Sequence, residues 1–202
     1  RMIGTAYFNT FLYTAGGTLI NLAMTLAAAY PLARRNLPFR GLLLLLFTFT
    51  MLFSGGTIPN YILMIDLKLI DTRWAMLLPG AISVYNMIIA RTFFESNIPV
   101  ELREAAFMDG CSDFRFYLRI ALPLSTAVIA VLTIYYAVGH WNEYMKSIIY
   151  LRNRNAQTLQ AFLRELLITD KFDAEAGFQL DTDDAVNRTM TILSLKYSAI
   201  IV

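Results

Sequence analysis

The segment NIPVELREAAFMDGCSDFRFYLRIALP, residues 97–123, carries Glu101, Arg103, Glu104, Asp109, Asp113, Arg115 and Arg119 between two long apolar runs. Pro99 suits the first turn of a helix, where its missing N–H would be unpaired in any case. The residues from Val100 to Asp109 are mostly good helix formers, and Gly110 can take the left-handed conformation that ends a helix. Ser112 can cap the next helical stretch, with Asp113 favourably placed in its first turn. The spacing therefore predicts a short helix, a sharp turn and a second short helix. Ala105 and Ala106 keep one side low, so that another protein can approach closely. Glu101 and Glu104, three residues apart, share a face and offer carboxylates to a basic partner.

Working outward, residues 11–33, 41–65, 74–90 and 120–142 contain no Asp, Glu, Lys or Arg. A helix needs about 20 apolar residues to cross about 30 Å of hydrocarbon, so these runs are read as four spans. A clipped fifth is read at residues 197–202. Only 16% of the 202 residues are charged and 57% are hydrophobic, well to the apolar side of soluble domains. The net charge of +2 is too small to indicate a nucleic-acid partner. Cys111 and His140 are each the single residue of their type, which excludes a disulfide framework and a His- or Cys-rich metal centre.

Arg34, Arg35 and Arg40 lie between the first two runs, and Arg91, Arg103, Arg115 and Arg119 in or beside the connection between the last two. The link between the second and third balances Lys68 and Arg73 against Asp66 and Asp71. The Lys/Arg excess assigns the first and third connections, including the loop 97–117, to the cytoplasm, and the segment 143–188 to the outside. In that outer segment Leu159, Phe162, Leu163, Leu166 and Leu167 recur at helical spacing. They form an amphipathic helix suited to a membrane surface, a partner or this subunit's own spans. Asp181, Asp183 and Asp184 lack the spacing and glycine of a calcium loop and are read as solvated acids.

Glu104-Ala105-Ala106, three residues, Gly110, nine residues, Ile120, one residue and Leu122-Pro123 match the EAA motif of ABC importer permeases at every fixed position. AAYPLARR (28–35), GGTIPNY (55–61) and Trp141-Asn142 resemble the carbohydrate-uptake, maltose-type branch. LQAFLRELL (159–167) resembles the subgroup for complex oligosaccharides, including those from acidic plant or algal polysaccharides. The resemblance implies an all-α, type I ABC importer transmembrane domain over residues 1–202. Such a domain is a bundle of six spans in the family, of which the first and most of the last are expected to be missing here. It implies a multi-pass protein of the bacterial cell membrane and a coupling helix whose docking surface is Glu101, Glu104, Ala105, Ala106 and Gly110. The implied partners are two ATPase subunits carrying ATP and Mg, a second and related permease subunit, and an extracellular solute-binding protein. Arg152, Arg154 and Arg164 are the expected contacts to that binding protein. The chain itself has no GxxxxGK[ST] loop and is expected to hold no nucleotide, cofactor or metal and to be no enzyme.

Candidates for the solute pathway are Ser83 and Asn86, three apart in the third run, and Tyr135 and Asn142, which share a face with Gly139 in the fourth. Amides and aromatic rings suit sugars, but helix–helix bonding and interfacial anchoring use the same residue types. His140 is read as a boundary residue. Gly55, Gly56 and Pro59 should interrupt the second run near its outer end. Among other classes, an ion-gradient transporter should carry ionisable groups within its spans, and here His140 near an end is the only one. An ABC permease for a non-sugar solute shares the EAA motif. A membrane enzyme would need a catalytic constellation that the sequence does not show.

Overall fold

The computed structural model describes residues 2–165, and among them every regular element is helical. The helices are α1 (Met2–Ala33), α2 (Arg40–Leu52), α3 (Thr57–Asp66), α4 (Trp74–Leu77), α5 (Val84–Asn97), α6 (Val100–Met108), α7 (Asp113–Phe116), α8 (Leu122–Leu124), α9 (Thr126–Trp141) and α10 (Met145–Tyr150). A π-helical turn, Tyr117–Ala121, joins α7 to α8, and a last helix covers 159–165. Leu166, Leu167, the acids Asp181, Asp183 and Asp184, the rest of the segment to Arg188 and the run 197–202 lie outside the described residues.

Helix α1 is the axis, packed along its length on α9 and α5. It is inside-out by the standards of a soluble protein. Asn9, Thr10, Thr18, Asn21 and Thr25 face inward, whereas Tyr7, Phe8, Phe11 and Met24 are exposed and Leu19 is 71% exposed. In water that arrangement would bury polar groups and leave a broad apolar face wet. In hydrocarbon the polar groups find one another between helices and the apolar groups face lipid. The facing of α1 thus argues against a hydrophobic soluble bundle. Among the described residues α1 is the one helix long and apolar enough to cross a membrane alone, over Ile3–Ala33.

Three of the four expected spans take a different form. Helices α2 and α3 meet at 111°, and the segment Asp113–Leu124 meets α9 at 80°, so each is a bent pair and at most three spans are present among the described residues. The expected third span, 74–90, is not continuous. Pro79 and Gly80 break it between α4 and α5, with Gly80 at φ 79°. Hydropathy counts apolar residues and does not register that Pro removes a backbone donor while Gly admits a left-handed turn.

The α2–α3 bend rests on Gly56, at φ 83° and ψ 179°, a region that residues with a Cβ scarcely enter. No atom lies within 4 Å of where its Cβ would stand, so a substitution there strains the backbone alone. Gly56→Ala should lower stability by about 1–2 kcal/mol, whereas Gly55→Ala, whose Cβ would meet only Pro59 Cβ at 3.9 Å, should be tolerated. Thermal unfolding of the two variants in detergent checks this, and equal midpoints would refute it.

Candidate functional site: the exposed loop between α5 and α9

The loop is rigid for local reasons. Ile98 and Pro99 are extended, and α6 starts at Val100 with Glu101 in its first turn. The helix ends in a full Schellman arrangement: Gly110 N–H donates to the Phe107 carbonyl and Cys111 N–H to the Ala106 carbonyl, both at 2.9 Å. Gly110, at φ 75°, is the left-handed residue that this closure requires. Ser112 then caps α7, its hydroxyl accepting from the Arg115 N–H at 3.4 Å.

Glu101, Glu104, Ala105 and Gly110 are exposed on the outside of this element. Ala106 is not. It is 9% exposed and belongs to the core with Tyr30, Phe94 and Phe116, so it lets α6 approach the bundle and presents no surface to a partner. The outer surface also carries large apolar groups that the sequence reading did not single out. Met108 is 89% exposed, and Phe107, Phe114 and Leu118 are exposed beside it. Their signal was present as apolar residues within a charged loop, without the periodicity that burial would require.

The loop is tied to the end of α1. Arg34 Nη2 donates to Asp113 Oδ1 at 2.6 Å and to the Tyr30 hydroxyl at 2.7 Å, with its guanidinium 4.6 Å from the centre of the Tyr30 ring. Tyr30 in turn meets Phe94, Phe116 and Tyr117, with ring centres 5.0 to 6.4 Å apart. The hydrogen bond and charge of Arg34 hold the Asp113 carboxyl below the usual carboxylate range. Beside this pair, Arg40 and Arg91 each donate through Nε to the Leu32 carbonyl, at 2.9 and 3.2 Å, closing the C-terminus of α1. Both also grip Glu95 Oε2, at 3.1 and 2.8 Å.

The bond from Arg40, and then the charges of Arg91, Arg40 and Arg35, lower the Glu95 pKa. A carboxylate with a depressed folded pKa contributes stability that is present above its unfolded pKa, about 4.3, and lost as pH falls through the folded value. Glu95→Gln should therefore lower the thermal midpoint at pH 7 by on the order of 3 °C. The gap from the unsubstituted protein should begin to narrow as pH falls below about 4.3 and close once pH is below the lowered folded value. Melting curves of both proteins across pH check this, and a gap independent of pH would refute it.

At the far end of α1 the outer segment is stapled down. Asn9 Nδ2 donates to the Asn155 carbonyl at 2.6 Å, the Tyr13 hydroxyl to the Ala156 carbonyl at 2.9 Å, and Leu159 N–H to Thr10 Oγ1 at 2.8 Å. The described part of the amphipathic helix, 159–165, thus packs on this subunit's own α1, with Ala161 buried. From residue 9 to residue 34 is roughly 37 Å along a helix, so the two segments assigned to opposite sides lie at opposite ends of a span-length rod. Arg152, Arg154 and Arg164 are exposed there. Arg154 bonds Glu165, Arg164 lies 4.2 Å over the Tyr144 ring, and Asp71 Oδ1 accepts from the Arg152 and Asn153 N–H groups at 3.0 and 2.9 Å.

The pathway candidates divide. Tyr135 (55% exposed) and Asn142 lie on the outside of α9, Asn142 bonding back to the Val138 carbonyl at 2.9 Å. Ser83 does not share a helix face with Asn86. It caps α5, accepting from the Asn86 N–H at 3.5 Å, and Asn86 is 7% exposed, turned into the subunit and away from any pathway along its surface. His140, in the last turn of α9, does not face outward. It is buried between helices, with Nε2 3.1 Å from Asn21 Nδ2. Tyr136 is a hub that the sequence reading passed over. Its hydroxyl lies 2.6 Å from Thr25 Oγ1 and accepts from the Ser83 N–H at 3.3 Å, joining α1, α5 and α9.

Residues 2–161 match the protein family described as binding-protein-dependent transport system inner membrane component. The protein LplC of Bacillus subtilis (strain 168) is 44% identical over 177 residues, covering 88% of this chain and 58% of that one. The polygalacturonan/rhamnogalacturonan transport system permease protein YtcP of the same organism is 43% identical over 155 residues, covering 77% and 54%. The chain thus spans little more than half the length of these curated relatives. Among solved structures, a bacterial ABC transporter involved in the import of the acidic polysaccharide alginate superposes with a TM-score of 0.82 at 27% identity, over 100% of this chain and 72% of that one.

Proposed function

The chain belongs to the family of binding-protein-dependent transport system inner membrane components, and from that premise we propose that it is a multi-pass permease subunit of an ATP-driven importer of oligosaccharides. The observation that carries the reading is the capped loop 97–117. It presents Glu101, Glu104, Ala105 and Met108 outward while Ala106, Phe116 and Asp113 fix it to the core and to α1. A rigid, exposed, mixed acidic and apolar element suits docking by a separate protein better than it suits solvent. Two ATPase subunits are that partner, and ATP and Mg reside on them. Their closure moves the loop, and the bundle turns the movement into access on the opposite side.

A second permease subunit completes the pathway. Pathway-lining groups of one subunit must then be exposed in that subunit alone, which favours Tyr135 and Asn142 over Asn86. An extracellular solute-binding protein delivers the solute at the outer end, where Arg152, Arg154 and Arg164 are available to it. The relatives that carry substrates in their names are saccharide systems, polygalacturonan and rhamnogalacturonan for one and alginate for the solved structure. An oligosaccharide, acidic sugars included, is therefore the proposed cargo. The test is affinity purification of the tagged full-length protein in mild detergent after co-expression with its neighbouring subunits. A P-loop ATPase should come with it. An intact membrane protein that brings none would overturn the reading in favour of an autonomous transporter.

A further inference from the structure

Resting on that reading, we propose that Arg34 is the positioning residue that makes α1 follow the docked loop, through its ion pair with Asp113. Besides the chain itself, the loop meets the end of α1 in two ways. One is apolar, Ala106 and Phe116 against Tyr30, and non-directional, so the surfaces can slide over one another. The other is the Arg34 guanidinium, held over Tyr30, bonded to its hydroxyl and to Asp113 Oδ1. One nitrogen, Nη2, makes both bonds while the Tyr30 ring lies against the guanidinium, so the head is held in direction as well as distance.

Position makes this pair consequential. Asp113 is the first residue of α7, directly after the turn at Gly110 that ends α6. A push on α6 passes to α7 through the closed turn at Gly110, and it reaches α1 with a fixed direction only if α7 is held to that helix. Arg34 holds α7 to α1, and α1 carries the interior contacts Asn21 to His140 and Thr25 to Tyr136 that bind α9 along the seam. The Asp113 side chain is 56% exposed, so as a surface pair it adds little to folding stability. Its contribution is to geometry under load.

The experiment uses the full complex in a Cys111→Ser background, with spin labels at the exposed positions Asn36, just past α1, and Arg115 on α7. Distances are read without nucleotide and after trapping with ATP and vanadate. With Arg34 and Asp113 intact the distance should be the same in both states, because α1 and α7 move together. In Arg34→Gln and Asp113→Asn it should shift on trapping by on the order of 2 Å, with the amount of co-purified ATPase unchanged. Asp113→Glu, which keeps the carboxylate, should behave as the unsubstituted protein does. A distance that shifts with the pair intact, stays fixed without it, or changes equally with and without nucleotide overturns the proposal. A complex that purifies without any ATPase overturns the importer reading itself.

Discussion

Glu104→Arg combined with Gly110→Trp should weaken ATPase binding by at least roughly 100-fold while leaving the protein folded and inserted. The two substitutions act on different terms. Glu104 is exposed on the outer side of α6, and reversing its charge sets cation against cation at a docking surface that needs a basic counterpart. Like-charge juxtaposition in an interface costs several kcal/mol. Gly110 sits at φ 75° with no atom within 4 Å of a built Cβ. A Cβ there therefore meets nothing within 4 Å in the subunit. A tryptophan strains the backbone by about 1–2 kcal/mol and adds bulk at an exposed position of the docking loop.

Two single variants separate these effects. Gly110→Ala carries the strain without the bulk and should retain most binding. Glu104→Gln removes the charge without reversing it and should lose about tenfold. Affinity purification with quantified ATPase, together with a folding check by size-exclusion in detergent, reads all of them. Full ATPase recovery with the double variant would mean that α6 is not the docking element.

The loop was legible because its chemistry is local. A glycine after a nine-residue helix, a serine cap and a first-turn aspartate are specified by neighbours within one turn, so spacing alone places them. The facing of α1 was not legible in the same way. A charge-free run has no polar stripe large enough to show which side is inward, and Asn9, Thr18, Asn21 and Thr25 read as isolated residues until α9 and the outer segment are laid against them. The same limit applies to the shared face expected for Ser83 and Asn86. Ser83 and Asn86 are three apart in sequence, yet Ser83 is extended at ψ 119° and is outside the helix that Asn86 belongs to. Bends at Gly56, Gly80 and Ser125 divided runs whose composition is uniform. Ala106 shows the converse: its small side chain is used for close approach to Phe116 and Tyr30, inside the protein.

The seam between α1 and α9 is where one methyl group should have the largest structural effect. A Cβ on Gly17 would stand 2.5 Å from both Cε1 and Nε2 of His140 and 2.9 Å from Cδ2, far inside contact distance. The ring has no easy retreat, because it is buried and its Nε2 is engaged with the Asn21 amide. Either the ring gives up that contact or the two helices spread along a seam that also holds Thr25 against Tyr136. Gly17→Ala should cost about 1–3 kcal/mol as overpacking, and Gly17→Val more. The neighbouring Gly16 is the control, since its Cβ would meet Leu77 Cδ2 at an ordinary 3.7 Å. Gly16→Ala should be neutral or stabilising by up to about 1 kcal/mol from helix propensity. His140→Ala should relieve most of the cost of Gly17→Ala, a coupling of about 1–3 kcal/mol in a double-mutant cycle measured by unfolding in detergent. If Gly17→Ala and Gly16→Ala melt together, α1 and α9 do not approach as closely as this seam requires, and the route from Arg34 through α1 to α9 loses its last step.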